Sequence, residues 1–232
     1  MHRLGFTGTD RPQLDSRLTE LGTLLKVQSV FTHLACADEP TMDDFTRRQI
    51  SLFRSWSEGL PGLKHILNSS GITRFPEAQL DMVRLGIGLY GISPEPDVQR
   101  QLRQVSRLVS RISQIKDIPA GDTVGYSGRW RATRDSRIAI VPMGYADGLH
   151  RGLGYCRGHV IIGTQEAPII GSVCMDMCFV DVTDIDCKEG DRVVIFGEGD
   201  LLQRNAAAAN TISYELLTAV SPRVKRIYYH EE

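Results

Sequence analysis

The spacing of apolar residues along the N-terminal half of the chain alternates between a helical and a strand-like pattern. Leucines recur at helical intervals near the start and predict a helix through Leu14, Leu18, Leu21 and Leu25. Residues 27–34 and 63–67 predict two short strands, and residues 41–56 predict a helix between them. Thr41 followed by Asp44 indicates a capping box at the start of that helix.

A third strand is predicted at residues 82–85, after a short helix near residues 76–80, and it leads into a glycine turn at residues 86–88. Strands that alternate with helices indicate parallel βα units, which place their active sites at strand ends. Taken singly, a polar residue at such a point more often satisfies a loop than binds a ligand. Together these residues predict a site with a phosphate-type glycine turn, and its candidates are His33, Asn68, Ser69, Arg84 and Gly86.

The pattern changes near residues 95–98, where prolines predict a linker or domain boundary. Beyond it, strand-like runs dominate at residues 105–118, 137–143, 159–162, 168–182 and 192–196. A short helix at residues 205–210, a helical turn after Ser213 and a final strand near residues 224–229 complete the prediction. The expected fold class is α/β plus mostly β, with an α/β part at residues 1–98 and a β domain at residues 99–232.

Composition excludes several classes of protein. The chain has 232 residues, and its 27 basic and 28 acidic residues are mixed along the sequence, so neither a nucleic-acid partner nor a membrane surface is expected. No segment approaches the roughly 18 apolar residues of a membrane span, and the N-terminus lacks an apolar signal core. The five cysteines are an odd number, so reduced thiols in a cytoplasmic protein are expected. Cys174 and Cys178 lack the spacing of a zinc site, and no metal is predicted.

Residues 121–148 carry two tyrosines in turn settings. Tyr126 lies between Gly125 and Ser127, where little crowding beside it lets the phenol project towards a ligand, and Tyr145 follows Gly144 in a similar break. Spacing alone also fits two turn tyrosines with half-buried rings and solvated hydroxyls. The surrounding residues must decide between these interpretations.

Motifs in a fixed order carry a family resemblance. They read MHRLGF, FTHLACAD, LNSSGITRFP, VRLGIGLYG, VGYSG, PMGYADG, GSVCMDM and TISYELLT with SPRVKRIY. In this order they resemble the C-terminal portion of alanine racemase, a pyridoxal 5'-phosphate (PLP) enzyme with a (β/α)8 barrel and a β domain. The resemblance runs through nearly the whole chain. It implies the C-terminal half of a TIM-type barrel followed by a β domain that carries the catalytic tyrosine.

The resemblance also implies a role for each candidate residue. Tyr126 would be the base that removes the α-proton of the L-amino acid, with His33 and then Arg84 hydrogen-bonded behind it. Arg84 would also meet the pyridine nitrogen of PLP. The phosphate would be held by Asn68, Ser69, Gly86, Ile87 and Tyr214, and the substrate would contact Arg3, Tyr145 and Met175.

These residue types suit racemisation, which removes a proton on one face of a planar centre and returns one on the other. The ordinary pKa of a tyrosine is near 10, so a phenolate at neutral pH needs nearby positive charge, which Arg84 could supply through His33. PLP acidifies the α-proton, and the protein supplies orientation and proton-transfer groups. The implied activity interconverts L-alanine and D-alanine and supplies D-alanine for peptidoglycan.

The sequence departs from the family at the second base. In the family, the lysine that binds PLP covalently is also the base for the D-isomer. None of the lysines here matches its motif, and they are Lys26, Lys64, Lys116, Lys188 and Lys225. We therefore expect the chain alone not to racemise alanine. The resemblance also begins in the middle of the barrel, so about half of the strands needed for closure are absent, and we expect the chain alone to expose an apolar sheet edge. A truncated longer racemase and a genuine remnant both fit, and the coding region upstream of Met1 distinguishes them.

Three functions remain open at this point. The first is alanine racemase acting as a homodimer, in which Tyr126, Tyr145 and Met175 of one chain reach the PLP of the other. The second is a non-catalytic dimerisation or assembly module derived from the racemase. The third is a PLP-dependent decarboxylase of basic amino acids with the same architecture. The sequence does not fix the breadth of substrates.

Overall fold

The computed structural model describes residues 1–229 and divides into two compact units, Met1–Val105 and Ser106–Glu232. The last three residues of the predicted β domain, 230–232, lie outside the described residues. The predicted domain boundary after Val98 falls within the first unit. Helix α4 (Pro96–Gln99) occupies the proline-rich segment there, with a proline at its first position, where no N–H donor is needed.

The first unit combines helices with a parallel pair of strands. Its longer elements are α1 (Arg11–Leu21), β1 (Ser29–Phe31), α2 (Asp43–Ser57), β2 (Leu63–His65) and α3 (Ser69–Arg74). Short 3₁₀ helices lie at Gly8–Asp10, Gly22–Leu24, Pro40–Met42, Pro76–Ala78 and Ile87–Tyr90. β1 pairs with β2 in parallel, with Ser29 opposite Leu63.

Helix α2 covers the core of this unit with one face. Ile50 and Phe53 are buried on it at helical spacing and belong to a cluster with Leu34, Ile66 and Phe75. Because β1 and β2 lead directly into Leu34 and Ile66, burial of this apolar face holds the two strand ends together.

Three local predictions in this unit need correction. Residues 82–85 do not form a strand, although the Arg84 N–H donates to the Leu67 carbonyl at 2.9 Å. The predicted capping box is absent, because the Thr41 hydroxyl donates to Glu39 and α2 begins after Met42 without a side-chain cap. The predicted helix near residues 76–80 is only the 3₁₀ turn. The regular helix of that region is α3, which lies before it.

The second unit is built on one antiparallel sheet. Its strands are β3 (Leu108–Arg111), β4 (Gln114–Ile118), β5 (Thr123–Val124), β6 (Trp130–Arg131), β7 (Ser136–Val141), β8 (His159–Ile162), β9 (Gln165–Ile170), β10 (Cys178–Asp181) and β11 (Arg192–Phe196). Seven of them form a sheet in the order β3-β11-β8-β9-β10-β7-β4, and β5 pairs with β6 separately. Buried residues alternate with half-exposed ones along β8 and β10, as expected for strands with one buried face.

Helices α5 (Leu201–Ala208) and α6 (Ser213–Thr218) follow the sheet, and 3₁₀ helices lie at Tyr126–Gly128 and Arg151–Leu153. α5 begins earlier than predicted because Leu201 and Leu202 are buried at its start. The final strand predicted at residues 224–229 is absent. The fold class is confirmed, since an α/β unit with parallel strands precedes a mostly β unit. Within residues 1–229, no helix is both long and apolar enough to cross a membrane.

Candidate active site

Arg84 lies at the centre of the polar groups of the first unit. Its guanidinium donates to the backbone carbonyls of Thr32 at 2.8 Å and of His65 and Ile66 at 3.3 Å each. These carbonyls belong to residues at or just after the ends of β1 and β2. The ring of Phe31 lies under the guanidinium, with its centroid 5.2 Å from the central carbon. The two parallel strand ends therefore fix the position of the cation.

Two histidines contact this same guanidinium. Arg84 Nη1 lies 2.6 Å from His65 Nδ1, and Arg84 Nη2 lies 3.4 Å from His33 Nδ1. A guanidinium has donors and no acceptor, so both Nδ1 atoms accept and both rings must be neutral, with the proton on Nε2. Burial, with the nearby charge of Arg84, lowers the pKa of both histidines below the ordinary value.

Arg3 is exposed and lies close enough to His33 for its charge also to lower the pKa of that histidine. The predicted relay residues of the first unit, His33 and Arg84, are therefore brought together. Arg3 acts on His33 through its charge, and within the described residues the structure gives no direct hydrogen bond between Arg3 and His33.

The predicted phosphate residues also converge. The Asn68 side chain caps α3 by accepting the Gly71 N–H at 2.9 Å. Ser69 Oγ accepts N–H groups from Gly86 at 3.0 Å and from Gly88 at 3.3 Å. A hydroxyl that accepts two hydrogen bonds keeps its own proton for a further acceptor. Ile87 begins the 3₁₀ turn that follows, so the glycine turn and the start of α3 meet at Ser69.

Tyr126 lies in a tight turn of the second unit. Gly125 has a φ of 79°, a conformation that favours glycine, and Ser127 has a φ of 63°. The Tyr126 N–H donates to Ser172 Oγ at 3.2 Å, and its side chain is 72% exposed. The turn thus presents the phenol to the surface of this unit, which agrees with a projecting phenol and not with a half-buried ring.

Tyr145 and Met175 lie in two turns that contact each other. The Tyr145 N–H donates to the Cys174 carbonyl and the Ala146 N–H to the Met175 carbonyl, each at 3.0 Å. A Cβ on Gly144 would lie 2.2 Å from the Met175 carbonyl oxygen, so only glycine permits this approach. Because the Met175 carbonyl is engaged, a backbone contact from Met175 to a ligand would use its N–H.

An arginine joins the same two turns. Arg223 Nε donates to Asp147 at 2.7 Å and Arg223 Nη2 donates to Asp176 at 2.6 Å. Asp147 also accepts the Gly144 N–H at 2.8 Å. Burial opposes ionisation of Asp147, but its bonds from Arg223 and Gly144 outweigh burial and lower its pKa.

Tyr214, the remaining predicted phosphate residue, lies on α6 with its side chain exposed, and its carbonyl accepts the Thr218 hydroxyl at 2.8 Å. The candidate residues therefore form two sets. Arg3, His33, Asn68, Ser69, Arg84, Gly86 and Ile87 belong to the first unit, and Tyr126, Tyr145, Met175 and Tyr214 belong to the second. Among residues 1–229, no three or more His, Cys, Asp or Glu side chains could together hold a metal ion.

Three residues of these sets escaped prediction from the sequence. His65 carries a weak signal, because it is a polar residue next to the apolar pair Ile66 and Leu67 in the predicted strand. The structure buries it, with only 6% exposed. Ser172 and Arg223 lie within the GSVCMDM and SPRVKRIY motifs, but no local pattern assigns a role to either residue. Their contacts join segments that are far apart in the chain.

The chain matches known proteins over both units. Residues 1–94 match the model of the alanine racemase N-terminal domain, and residues 105–228 match that of the alanine racemase C-terminal domain. The alanine racemase of Shewanella amazonensis is 37% identical over 228 residues, which cover 97% of this chain and 62% of that protein.

Solved structures agree with this match. The biosynthetic alanine racemase of Pseudomonas aeruginosa superposes with a TM-score of 0.88 at 32% identity, over 99% of this chain and 64% of that one. The Bartonella henselae alanine racemase, solved with covalently bound pyridoxal phosphate, gives 0.87 at 32% identity over the same shares.

The fold and the candidate site define a protein with part of an α/β barrel followed by a β domain, with an arginine–histidine pair in the first and a turn tyrosine in the second. Within that class, the chain belongs to the alanine racemase family. It spans about 62% of the length of the Shewanella relative.

Proposed function

We propose that this chain supplies catalytic and cofactor-binding residues of a PLP-dependent alanine racemase, which interconverts L-alanine and D-alanine. The observation that carries the proposal is the contact between the Arg84 guanidinium and His33, beside the turn in which Ser69 accepts the Gly86 N–H. A fixed cation and a hydroxyl with a free proton lie on the same unit. Membership in the family supports the assignment of the reaction.

The residues of the first unit fit a phosphorylated pyridine ring. Ser69, the side-chain amide of Asn68 and the Ile87 N–H are donors suited to phosphate oxygens, while the Gly86 N–H supports the site by donating to Ser69. Arg84 remains cationic, because an arginine is not deprotonated in proteins, and it can donate to a pyridine nitrogen that carries no proton. PLP bound there would acidify the α-proton of the amino acid.

The chain's own residues transfer the proton, orient the substrate and contact the phosphate. Tyr126 takes the α-proton of L-alanine at its phenolic oxygen and returns a proton to the same face in the reverse direction. His33 carries a proton on Nε2 that can stabilise a phenolate, because Arg84 occupies its Nδ1. Arg3, Tyr145 and the Met175 N–H orient the substrate, and Tyr214 adds a donor for the phosphate.

We further propose that the active protein is a homodimer in the cytoplasm, with Tyr126, Tyr145 and Met175 of one chain acting at the cofactor held by the other. Support comes from the exposure of these side chains, at 72%, 45% and 54%. The cysteines in the described part of the chain are all unpaired, which fits a reducing compartment.

A mixed dimer tests the proposal. The full chain would be co-expressed with the Pseudomonas aeruginosa relative, whose tyrosine at the position of Tyr126 is changed to phenylalanine, and the mixed species isolated with two affinity tags. We expect the chain to restore racemisation about 100-fold above the altered relative, within the range that general base catalysis contributes. Tyr126→Phe in this chain is the matched control and should restore nothing.

The other outcomes are informative. If the two chains associate and activity is not restored, the chain is an assembly module and the catalytic proposal is wrong. If they do not associate, the dimer proposal is wrong. Release of CO₂ from lysine or arginine by the mixed species would instead favour the decarboxylase, which no contact in the structure supports.

A further inference from the structure

The direction of the Tyr126 side chain depends on the backbone of its turn. The side chain is 72% exposed, so packing within the second unit holds little of the ring. The turn that carries it needs positive φ angles at both neighbours, 79° at Gly125 and 63° at Ser127. A non-glycine residue at positive φ is strained and persists only where its surroundings hold it.

Ser172 makes a side-chain hydrogen bond to this turn. It is only 2% exposed, and its Oγ accepts the Tyr126 N–H at 3.2 Å. The fit around it is close, because a Cβ on Gly125 would lie 3.2 Å from the Ser172 N and 3.3 Å from its Oγ. Ser172 follows β9 and precedes the turn of Met175, so it connects the tyrosine turn to the sheet.

We propose that Ser172 is a positioning residue for Tyr126, and this inference rests on the proposed function of Tyr126 as a base. Without the acceptor, the turn relaxes and the phenolic oxygen moves relative to the α-proton. Displacements of about 1 Å can slow a reaction by about 100-fold, so a smaller shift has a measurable effect. The effect falls on one face of the substrate only, because Tyr126 transfers the proton on one face.

The mixed dimer described above can distinguish a positioning role of Ser172 from a purely structural one. Ser172→Ala removes the acceptor, Ser172→Thr keeps it, and Ser136→Ala is the matched control, since Ser136 is another buried serine of the second unit. We expect Ser172→Ala to lower kcat about tenfold in both directions with little change in KM. The equilibrium between enantiomers requires the two directions to fall together.

Isotope effects separate the two faces. With α-deuterated L-alanine, whose deuterium Tyr126 removes, the Ser172→Ala variant should show a larger isotope effect than the unchanged chain. With α-deuterated D-alanine the effect should not increase. Ser172→Thr should restore the original values. An equal increase for both enantiomers, or the same loss of kcat in Ser136→Ala, would assign Ser172 a structural role and overturn the inference.

A second measurement keeps the inference separate from the proposed function. In the full chain alone, amide hydrogen exchange at Tyr126 should be about fivefold faster in Ser172→Ala and unchanged in Ser136→Ala, as expected for loss of one hydrogen bond. If the unchanged chain restores no activity in the mixed dimer, the proposed function fails and the amide result still decides whether Ser172 orders the turn. Unchanged exchange at Tyr126 would contradict the inference in either case.

Discussion

Two histidines share one arginine in the first unit, and the contacts dictate where their protons lie. Because Arg84 can only donate, His33 and His65 must both accept at Nδ1 and carry their protons at Nε2. A second proton on either ring would oppose the guanidinium and remove the acceptor. The arrangement therefore holds both histidines neutral over a wider pH range than a solvated histidine.

NMR titration of the histidines tests this arrangement. We expect His33 and His65 to titrate below the ordinary 6.5, and Arg84→Gln to raise both pKa values while burial keeps them below 6.5. Since these pKa values are lowered in the folded state, the free energy of unfolding is unaffected above the unfolded value and falls as pH drops below about 6.5. Histidines that titrate at or above 6.5 in the unchanged chain would contradict the assigned tautomers.

The contact between the turns of Tyr145 and Met175 requires that Gly144 have no side chain. In Gly144→Ala, the new methyl would overlap the Met175 and Cys174 carbonyl oxygens at 2.2 and 2.4 Å, which are backbone atoms that cannot rotate away. We expect a loss of about 3 kcal/mol in the free energy of unfolding, at the upper end of effects of overpacking. Gly163→Ala is the control, because Gly163 has a φ of 61° with open space around it, and it should cost only about 1 kcal/mol. Equal costs in urea unfolding would refute the overlap.

At the scale of elements, the second unit builds its site from turns that the sheet brings together. The turn after β7 carries Tyr145, and the turn before β10 carries Met175. Those strands are antiparallel neighbours, with Val141 opposite Cys178, so the two turns emerge side by side. Arg223 then connects the turns through Asp147 and Asp176.

Removal of Arg223 should therefore loosen both turns. We expect Arg223→Ala to lower the free energy of unfolding of the second unit only slightly, since the ion pairs are partly exposed and screened by solvent. The pKa of Asp147 is lowered, so its contribution is present above its ordinary 3.8 and disappears as pH falls through the folded pKa. Urea unfolding at pH 7 and pH 3 measures this, and Arg134→Ala, which removes a more exposed pair with Asp184, is the control. A loss that persists undiminished at pH 3 would exclude the ion pairs as its cause.

The sequence predicts the second unit better than the first for a physical reason. Strands such as β8 and β11 have matching bounds, because alternation of period two with glycine turns is a local signal. Residues 82–85 and 224–229 have strand-like composition and form no strand, since a continuous ladder depends on how distant segments meet and not on local composition alone. For the same reason, His33, Arg84 and the glycine turn can be identified by motif, while the contacts of His65 and Ser172 arise only from the fold.

At the scale of the whole molecule, the two units differ in how completely they bury their apolar surface. The second has a seven-stranded sheet with fully buried residues on β7, β9 and β11. The first has only a two-stranded parallel sheet, and Phe31 and Leu63 on it are 60% and 52% exposed. Parallel strands are normally covered on both faces, so this surface favours association with another apolar surface.

Separate expression of the units tests this difference. Residues 106–232 should fold alone, with one cooperative urea transition and a monodisperse profile in size-exclusion chromatography. Residues 1–105 should aggregate or bind an apolar dye, and Phe31→Thr together with Leu63→Thr should reduce that binding. Non-cooperative unfolding of residues 106–232 would show that this unit depends on the rest of the chain.

The hydrogen bonds from Arg84 to backbone carbonyls also affect which substitutions around it the protein can tolerate during evolution. Several acceptors of its guanidinium are main-chain carbonyls, at Thr32, His65 and Ile66. Replacement of the Thr32 or Ile66 side chain removes no carbonyl, so the guanidinium keeps these acceptors, whereas replacement of His65 removes its Nδ1 as well. Substitution of Arg84 itself removes the guanidinium that donates all of these hydrogen bonds, and no backbone group replaces it. The lineage of this chain should therefore tolerate varied neighbours around an arginine that does not vary.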